Sequence, residues 1–182
     1  MGLLTLLRKL KGSSSEARLL VLGLDNAGKT TILKKLSNED PTSTTPTQGF
    51  NVKTLQQDGF KLNIWDIGGQ RQIRDFWKNY YKGTDAIVFV VDSTDKKRQL
   101  ESAQVLHETL LSDKQLGGVP LLVLANKQDV LSAMEPEKVC GAAVHYKWLG
   151  AGSHTDVVVV DAWRCRRRRR RRRRRCGHHC RF

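Results

Sequence analysis

The feature that most constrains the fold of this chain is the stretch Gly23-Leu-Asp-Asn-Ala-Gly-Lys-Thr30, which fits the pattern G-x-x-x-x-G-K-[ST]. The stretch follows an apolar run at residues 18–22, which predicts a buried strand, and precedes a helical pattern at residues 30–36. Glycines in such a loop let backbone N–H groups wrap around phosphate oxygens, and the start of the helix adds a partial positive charge. A simple glycine turn is the alternative, but the flanking strand and helix favour a phosphate-binding loop.

Beyond this loop, apolar runs alternate with helical stretches, which is typical of a sheet whose strands are connected by helices. Residues 51–55 and 60–65 are predicted strands, and the Asp-Gly pair between them predicts an antiparallel hairpin at a sheet edge. Continuous apolar runs at residues 86–91 and 121–125 indicate central parallel strands, with a helix over residues 97–111 between them. We therefore predict a three-layer α/β fold, in which a mostly parallel sheet has one antiparallel edge strand.

The positive charge of the chain is concentrated at its C-terminal end. The net charge is +14, but residues 164–182 hold 12 of the 32 Lys and Arg and none of the 18 Asp and Glu. A run of ten arginines cannot form an apolar face, so we expect a disordered tail over residues 164–182. The charge therefore does not mark the body of the chain as a nucleic-acid binder, and no specific nucleic-acid partner is predicted.

Three interpretations of the tail stay open. The arginines could contact the phosphates of nucleic acid or of an anionic membrane. The segment Cys176-Gly-His-His-Cys180 could bind zinc, although five consecutive residues match no usual spacing of zinc ligands. The third interpretation is that residues after about 139 are translated from an unspliced or alternative segment.

The first twelve residues predict an amphipathic helix. Leu3, Leu6, Leu7 and Leu10 recur at helical spacing, which favours transient membrane contact through residues 2–11. A lipidated N-terminus is not predicted, because Leu6 stands where the myristoylation pattern needs Ser or Thr. No apolar run is long enough to span a membrane, and all four cysteines follow residue 139, which fits a reducing, cytoplasmic compartment.

Two threonines and an aspartate are candidate ligands for a magnesium ion. Thr30 ends the glycine loop, Thr47 lies in the polar loop of residues 44–50, and Asp66 ends the third predicted strand. Their oxygens suit Mg²⁺, which Asp66 is predicted to hold through a water molecule. By itself Asp66 fits a capped turn and Thr47 an ordinary loop residue, but their position downstream of a phosphate loop favours the metal site.

The residues around these ligands carry the predicted chemistry. Lys29 would reach the β- and γ-phosphates, and the Gly69 N–H could donate to a γ-phosphate. Gln70 follows directly and is placed to orient an attacking water.

A second polar motif, Asn126-Lys-Gln-Asp129, follows the last central strand. The Asp129 carboxylate can accept two hydrogen bonds from the N1–H and N2–H₂ edge of guanine, whereas adenine has no such donor pair. A capped loop is the alternative for four isolated residues. The predicted nucleotide-binding residues are Gly23, Leu24, Asp25, Asn26, Ala27, Gly28, Lys29, Thr30, Thr31, Thr47, Gly69, Asn126, Lys127 and Asp129, with Lys29 and Gln70 catalytic and Thr30, Thr47 and Asp66 as metal ligands.

The order of these motifs resembles that of the small GTPases. Gly23–Thr30, Pro46–Asn51 and Trp65–Gln70 are similar to the ADP-ribosylation factor (Arf/Arl) branch, and the resemblance covers about residues 1–139. It implies a small GTPase domain over residues 17–163 that binds GTP or GDP with Mg²⁺ and acts as a switch. We expect unassisted hydrolysis at about 10⁻³ s⁻¹ or slower, because the sequence shows no arginine finger.

The resemblance also implies partners. Phe50, Trp65 and Tyr80 match the aromatic effector patch of the family, although aromatic residues more often belong to a core. The implied partners are carriers of lipid-modified cargo, an exchange factor and a GTPase activator. The implied locations are the cytoplasm with membrane-associated, Golgi, centrosomal or ciliary pools.

The chain departs from the family after Val139. Residues 157–160 could imitate the last parallel strand, but we expect the last strand, the guanine-contacting Ser-Ala motif and the closing helix of the family to be missing. An alternative function is therefore a nucleotide-binding-impaired isoform or an interaction scaffold.

Overall fold

The computed structural model describes residues 16–57, 59–136, 138–139 and 157–161. The predicted N-terminal helix over residues 1–12 and the predicted tail over residues 164–182 lie outside the described residues. So do the candidate zinc ligands of residues 176–180.

The described residues form one six-stranded sheet in the order β2-β3-β1-β4-β5-β6. β2 is antiparallel to β3, and the other neighbours are parallel. This confirms the predicted α/β fold with one antiparallel edge strand. The strands are β1 (Glu16–Leu22), β2 (Phe50–Gln57), β3 (Phe60–Ile67), β4 (Ala86–Asp92), β5 (Leu121–Asn126) and β6 (Val157–Asp161).

The last strand completes the edge of the sheet beyond β5. Val157 is in register with Leu121, and Asp161 with Ala125. A run of four valines suits a strand because β-branched side chains favour extended backbone. The expectation that the last strand of the family is missing is therefore wrong, because residues 157–161 form that strand in parallel register with β5.

Helices cover both faces of the sheet, although only two of them were predicted. The helices are α1 (Lys29–Leu36), α2 (Arg71–Arg74) and α3 (Gln99–Val105), which continues as a π-helix over Leu106–Leu111, together with 3₁₀ turns at Trp77–Tyr80 and Lys114–Leu116. The predicted helix over residues 97–111 therefore begins two residues later and changes its hydrogen-bonding pattern half-way.

The side chains of the central strands alternate between two hydrophobic clusters. Leu20 of β1 belongs to the cluster under the π-helix, with Leu106, whereas its neighbour Leu19 packs in the cluster under α1, with Leu33. Successive strand residues point to opposite faces, and a parallel sheet buries both. The sheet is thus the middle of three layers, and the ends of β1, β3, β4 and β5 meet at one edge.

Candidate functional site

The phosphate loop needs glycine at its first position. Gly23 has a φ of +137°, and a methyl group there would lie 2.2 Å from the carbonyl oxygen of Val90 on β4. An amino acid with a side chain could not adopt this φ angle and also approach β4 so closely. The turn therefore follows β1 without a side chain, and the loop lies directly over the neighbouring strand.

Lys29 begins α1 and turns its side chain back over the loop. Its Nζ donates to the carbonyl oxygens of Gly23 at 3.0 Å and Leu24 at 2.9 Å. Burial lowers the pKa of Lys29 to about 8, although the charges of Asp66 and Asp25 act in the opposite direction. An ammonium group held away from water in this way is available to an anionic ligand.

The three predicted metal ligands come together from three separate segments. The Thr30 hydroxyl lies 2.8 Å from the hydroxyl of Thr47 and donates to Oδ2 of Asp66 at 2.6 Å. Asp66 is fully buried, and its Oδ1 makes no hydrogen bond within the part of the chain that the structure describes. Burial raises the pKa of Asp66, while the hydrogen bond from Thr30 opposes that rise. Two hydroxyls and a carboxylate with a free oxygen form a donor set that fits Mg²⁺.

Gly69 lies against the phosphate loop. A methyl group on Gly69 would approach the carbonyl oxygen of Gly23 to 2.3 Å and the backbone nitrogen of Asp25 to 2.4 Å. Any other residue would separate the two segments, so glycine lets them touch. Gln70 comes next, in extended conformation and partly buried, immediately before α2.

The second predicted motif reaches the phosphate loop through one side chain. Asn126 Nδ2 donates to the carbonyl oxygen of Ala27 at 2.8 Å, and Lys127 Nζ donates to Oδ2 of Asp92 at 2.7 Å. Burial acts to raise the pKa of Asp92, but hydrogen bonds from Lys127 and Thr94 outweigh it and lower the pKa. Asp129, the predicted base-reading residue, is exposed.

The remaining predicted loop residues surround these contacts. Leu24 and Ala27 are buried, whereas Asn26 and Thr31 are exposed. Asn26 has a positive φ of 60°, which asparagine tolerates better than most residues.

Some residues at the site were missed by the sequence analysis. Gln128 donates to the Ser93 hydroxyl at 2.7 Å and to the carbonyl oxygen of Met134 at 2.9 Å, which shapes the loop that carries Asp129. Arg74 and Arg98 contact the phosphate loop through Asp25. No short motif could reveal them, since Arg98 is 73 residues from Asp25.

The three predicted patch residues meet on one surface. The rings of Phe50 and Trp65 stack with centroids 5.5 Å apart, and Tyr80 lies 5.5 Å from Phe50 and 6.0 Å from Trp65. The Arg18 guanidinium lies 4.4 Å from the centre of the Trp65 ring. Half of Phe50 is exposed, whereas Trp65 and Tyr80 are partly buried and pack against the hydrophobic cluster under the π-helix.

The sequence model of the ADP-ribosylation factor family matches residues 3–164 of this chain. This chain belongs to the ADP-ribosylation factor family. ADP-ribosylation factor-like protein 3 of Chlamydomonas reinhardtii is 60% identical over 139 residues, which cover 76% of this chain and 78% of the relative. ADP-ribosylation factor-like protein 2 of Arabidopsis thaliana is 43% identical over 163 residues, which cover 90% and 87%. The family match extends to residue 164 and so includes β6 of this Arf-family chain.

Solved structures agree with this assignment. The Arl6 (BBS3) small GTPase from Trypanosoma brucei, solved with the nucleotide analogue GppNp, has a TM-score of 0.69 at 28% identity and covers 81% of this chain and 86% of its own. The mammalian SRP receptor also has a TM-score of 0.69, at 20% identity, covering 79% and 89%, which is a likeness of fold alone. The chain is therefore a GTPase of the Arf family. Among the described residues, no helix is long and apolar enough to cross a membrane.

Proposed function

We propose that this Arf-family GTPase is a Mg²⁺-dependent switch, in which the residues predicted from the sequence bind guanine nucleotide and hydrolyse GTP slowly. The observation that carries the proposal is the meeting of Thr30, Thr47 and Asp66 beside Lys29. A cluster of oxygen ligands next to a buried ammonium group is suited to a metal-bound polyphosphate.

The glycine loop and Lys29 bind the phosphates. Backbone N–H groups of Gly23–Thr30 face the phosphate oxygens, and Lys29 exchanges its two carbonyl partners for the β- and γ-phosphates. Nucleotide binding gives the buried ammonium group a direct anionic partner in place of two neutral carbonyl groups.

Thr30 and Thr47 would hold the metal directly, and Asp66 would hold it through a water molecule. When bound, Mg²⁺ neutralises charge on the phosphate oxygens. Thr47 belongs to the loop before β2, and its contact with Thr30 joins that loop to the nucleotide. Loss of a terminal phosphate would release this loop, as a switch requires.

Gln70 orients the attacking water in hydrolysis. Gly69, in contact with the phosphate loop, donates its N–H to the γ-phosphate and fixes the position of Gln70 beside it. Arg74 and Arg98 also approach the loop, but both are paired with carboxylates. Because neither of these two described arginines is free to stabilise the transition-state charge, the unassisted reaction is slow, at about 10⁻³ s⁻¹ or less.

Asp129 selects guanine, since its carboxylate pairs with the N1–H and N2–H₂ donors of the base. Asn126 joins this motif to the phosphate loop, and Gln128 holds the loop before Asp129. An adenine base would leave a carboxylate without donors.

The switch regulates the trafficking of lipid-modified cargo. The support is the resemblance to factor-like protein 3 and the exposed patch of Phe50, Trp65 and Tyr80. Carriers of lipid-modified cargo bind this patch in the GTP state, an exchange factor and a GTPase activator control the cycle, and the protein works in cytoplasmic, membrane-associated or ciliary pools. A carrier that bound the GTP and GDP forms of this chain equally well would contradict this role. So would a carrier that bound Phe50→Ala as well as the unchanged chain.

Equilibrium titration with fluorescent GDP, GTP and ATP tests the nucleotide assignment. We expect binding of both guanine nucleotides, loss of affinity in EDTA and much weaker binding of ATP. Folded protein that binds none of the three would instead support the nucleotide-binding-impaired scaffold. Equal binding of GTP and ATP would show that Asp129 does not read the base.

A further inference from the structure

The phosphate loop carries a carboxylate, that of Asp25, which is held by an arginine from the segment between β4 and α3. Arg98, just before α3, donates from Nη1 to Oδ1 of Asp25 at 2.9 Å and from Nη2 to the Asp25 carbonyl oxygen at 3.2 Å. Arg98 is itself oriented by Asp95, which accepts from its Nε at 2.7 Å. One guanidinium thus fixes both the side chain and the backbone of Asp25.

A second arginine joins the same carboxylate to the segment that carries Gln70. Arg74 is only 10% exposed, and its Nη2 lies 3.5 Å from Oδ1 of Asp25. Its Nε donates to the carbonyl oxygen of Gly69 at 2.7 Å, and its Nη1 to Glu101 at 2.7 Å. Asp25 is therefore bracketed by two guanidinium groups from two different elements.

The position of Asp25 makes its charge relevant to the nucleotide. Its backbone nitrogen lies at the point where Gly69 meets the loop, which is the segment proposed to contact the γ-phosphate. Burial has the largest effect on the pKa of Lys29 and lowers it, while the charge of Asp25 acts to raise this pKa and that of Arg74 to lower it. An unneutralised carboxylate here would repel the extra charge of GTP more than it repels GDP.

We propose that Arg98 and Arg74 are positioning residues that neutralise Asp25 and thereby set the preference of the loop for GTP over GDP. This inference rests on the proposed function, because it needs a nucleotide in the loop. The positive charge of Arg98 offsets the negative charge of Asp25. Removing Arg98 would therefore leave the γ-phosphate repelled by the carboxylate. Removing the carboxylate as well restores the balance.

A double-mutant cycle tests the proposal on the full 182-residue chain. The variants are Arg98→Gln, Asp25→Asn and the double variant, with Lys97→Gln as a matched control. Lys97 is the exposed neighbour of Arg98, so the control removes the same charge one residue away. Competition of GTP and of GDP against fluorescent GDP gives the ratio of the two affinities for each variant, at low and at high salt.

We expect Arg98→Gln to lower the GTP-to-GDP affinity ratio about 3- to 10-fold, because the pair is partly exposed and partly screened. The double variant should return the ratio to within about twofold of the unchanged chain, and high salt should shrink the effect of Arg98→Gln. Arg98→Lys keeps the positive charge, so its GTP-to-GDP affinity ratio should fall less than that of Arg98→Gln. If Arg98→Gln folds poorly, Arg98→Lys compared with the unchanged chain still tests the role of the arginine.

Two results would overturn the inference alone. The first is a GTP-to-GDP affinity ratio of Arg98→Gln that equals the ratio of Lys97→Gln. The second is an equal loss of GTP and GDP affinity in Arg98→Gln that Asp25→Asn does not rescue, because such a loss indicates a purely structural arginine. Failure of the unchanged chain to bind GDP would instead contradict the proposed function on which the inference rests.

Discussion

At the scale of single residues, the site depends on carboxylates that accept hydrogen bonds from specific partners. Asp66 is buried with one oxygen bound by Thr30, Asp92 is paired with Lys127, and Asp25 with Arg98. Asp129 is the exception, because it is exposed and forms no ion pair with any of the described residues. A carboxylate of this kind is free to pair with a ligand.

Replacing Asp129 by Asn should change which base is bound. We expect Asp129→Asn to weaken GTP by about 2–4 kcal/mol, because a charged bidentate pair is lost. The asparagine amide can donate to the second carbonyl of xanthine, so xanthosine triphosphate should bind this variant better than GTP. Competition titration measures both affinities. Equal losses for GTP, ATP and xanthosine triphosphate would assign Asp129 a structural role.

The pairing of Asp92 with Lys127 predicts a dependence of stability on pH. The folded-state pKa of Asp92 lies below its ordinary value of 3.8, so its contribution is present above that pH and is lost as pH falls through the folded pKa. We expect Asp92→Asn to cost about 1 kcal/mol at pH 7, with the difference from the unchanged chain shrinking as the pH falls below 3.8.

Urea unfolding across this pH range measures the Asp92 effect, and Asp75→Asn is the control, since Asp75 is exposed. A difference that stays constant from pH 7 to the acid limit would show that the Asp92 charge is not responsible.

The motif residues were predictable because their roles are local. Gly23 and Thr30 stand at fixed positions in one loop, and the chemistry of the loop requires them there. The partners Asp92, Arg74 and Arg98 were not predictable, since each reaches the site from a separate element and no spacing marks it. A charge that serves a distant loop looks like any other surface charge in a sequence.

At the scale of elements, the short 3₁₀ turn Trp77–Tyr80 anchors the segment between β3 and β4. Trp77 is fully buried in the cluster under the π-helix, and its Nε1 donates to the Gly68 carbonyl oxygen at 2.9 Å. The indole thus holds the backbone next to Gly69 from the side of this hydrophobic cluster. An element of four residues has no periodicity, so the sequence did not predict it, whereas the Asp-Gly hairpin of β2 and β3 was predicted from its turn.

Trp77→Phe should destabilise the domain by about 1–3 kcal/mol, because the Gly68 carbonyl loses its buried donor and the smaller ring leaves space. Phe76→Leu is the matched control, as Phe76 is exposed and adjacent. Urea unfolding of the GDP-loaded protein measures both. A Trp77→Phe cost no greater than that of Phe76→Leu would show that the anchor is unimportant.

At the scale of the whole molecule, the site is the place where segments from both halves of the sheet meet. The phosphate loop follows β1, Asp66 ends β3, and Asn126 ends β5, so the ligand-binding edge is contributed by strands far apart in sequence. A ligand that contacts all three segments binds the folded state and not the unfolded chain.

Bound nucleotide should therefore stabilise the whole domain. We expect GDP with Mg²⁺ at 100 times its dissociation constant to add about 2.7 kcal/mol to the free energy of unfolding. ADP at the same concentration is the control and should add little. Thermal unfolding measures the shift, and an equal effect of ADP and GDP would contradict guanine-specific binding.

Hydrolysis of bound GTP by the whole molecule depends on Gln70, which we propose positions the attacking water. Single-turnover release of phosphate from preloaded GTP tests it most directly, with the unchanged chain compared to Gln70→Leu at matched occupancy. We expect slow hydrolysis, about 10⁻³ s⁻¹ or less, and a further loss of at least about tenfold in Gln70→Leu with GTP still bound. Equal rates in the two proteins would contradict it.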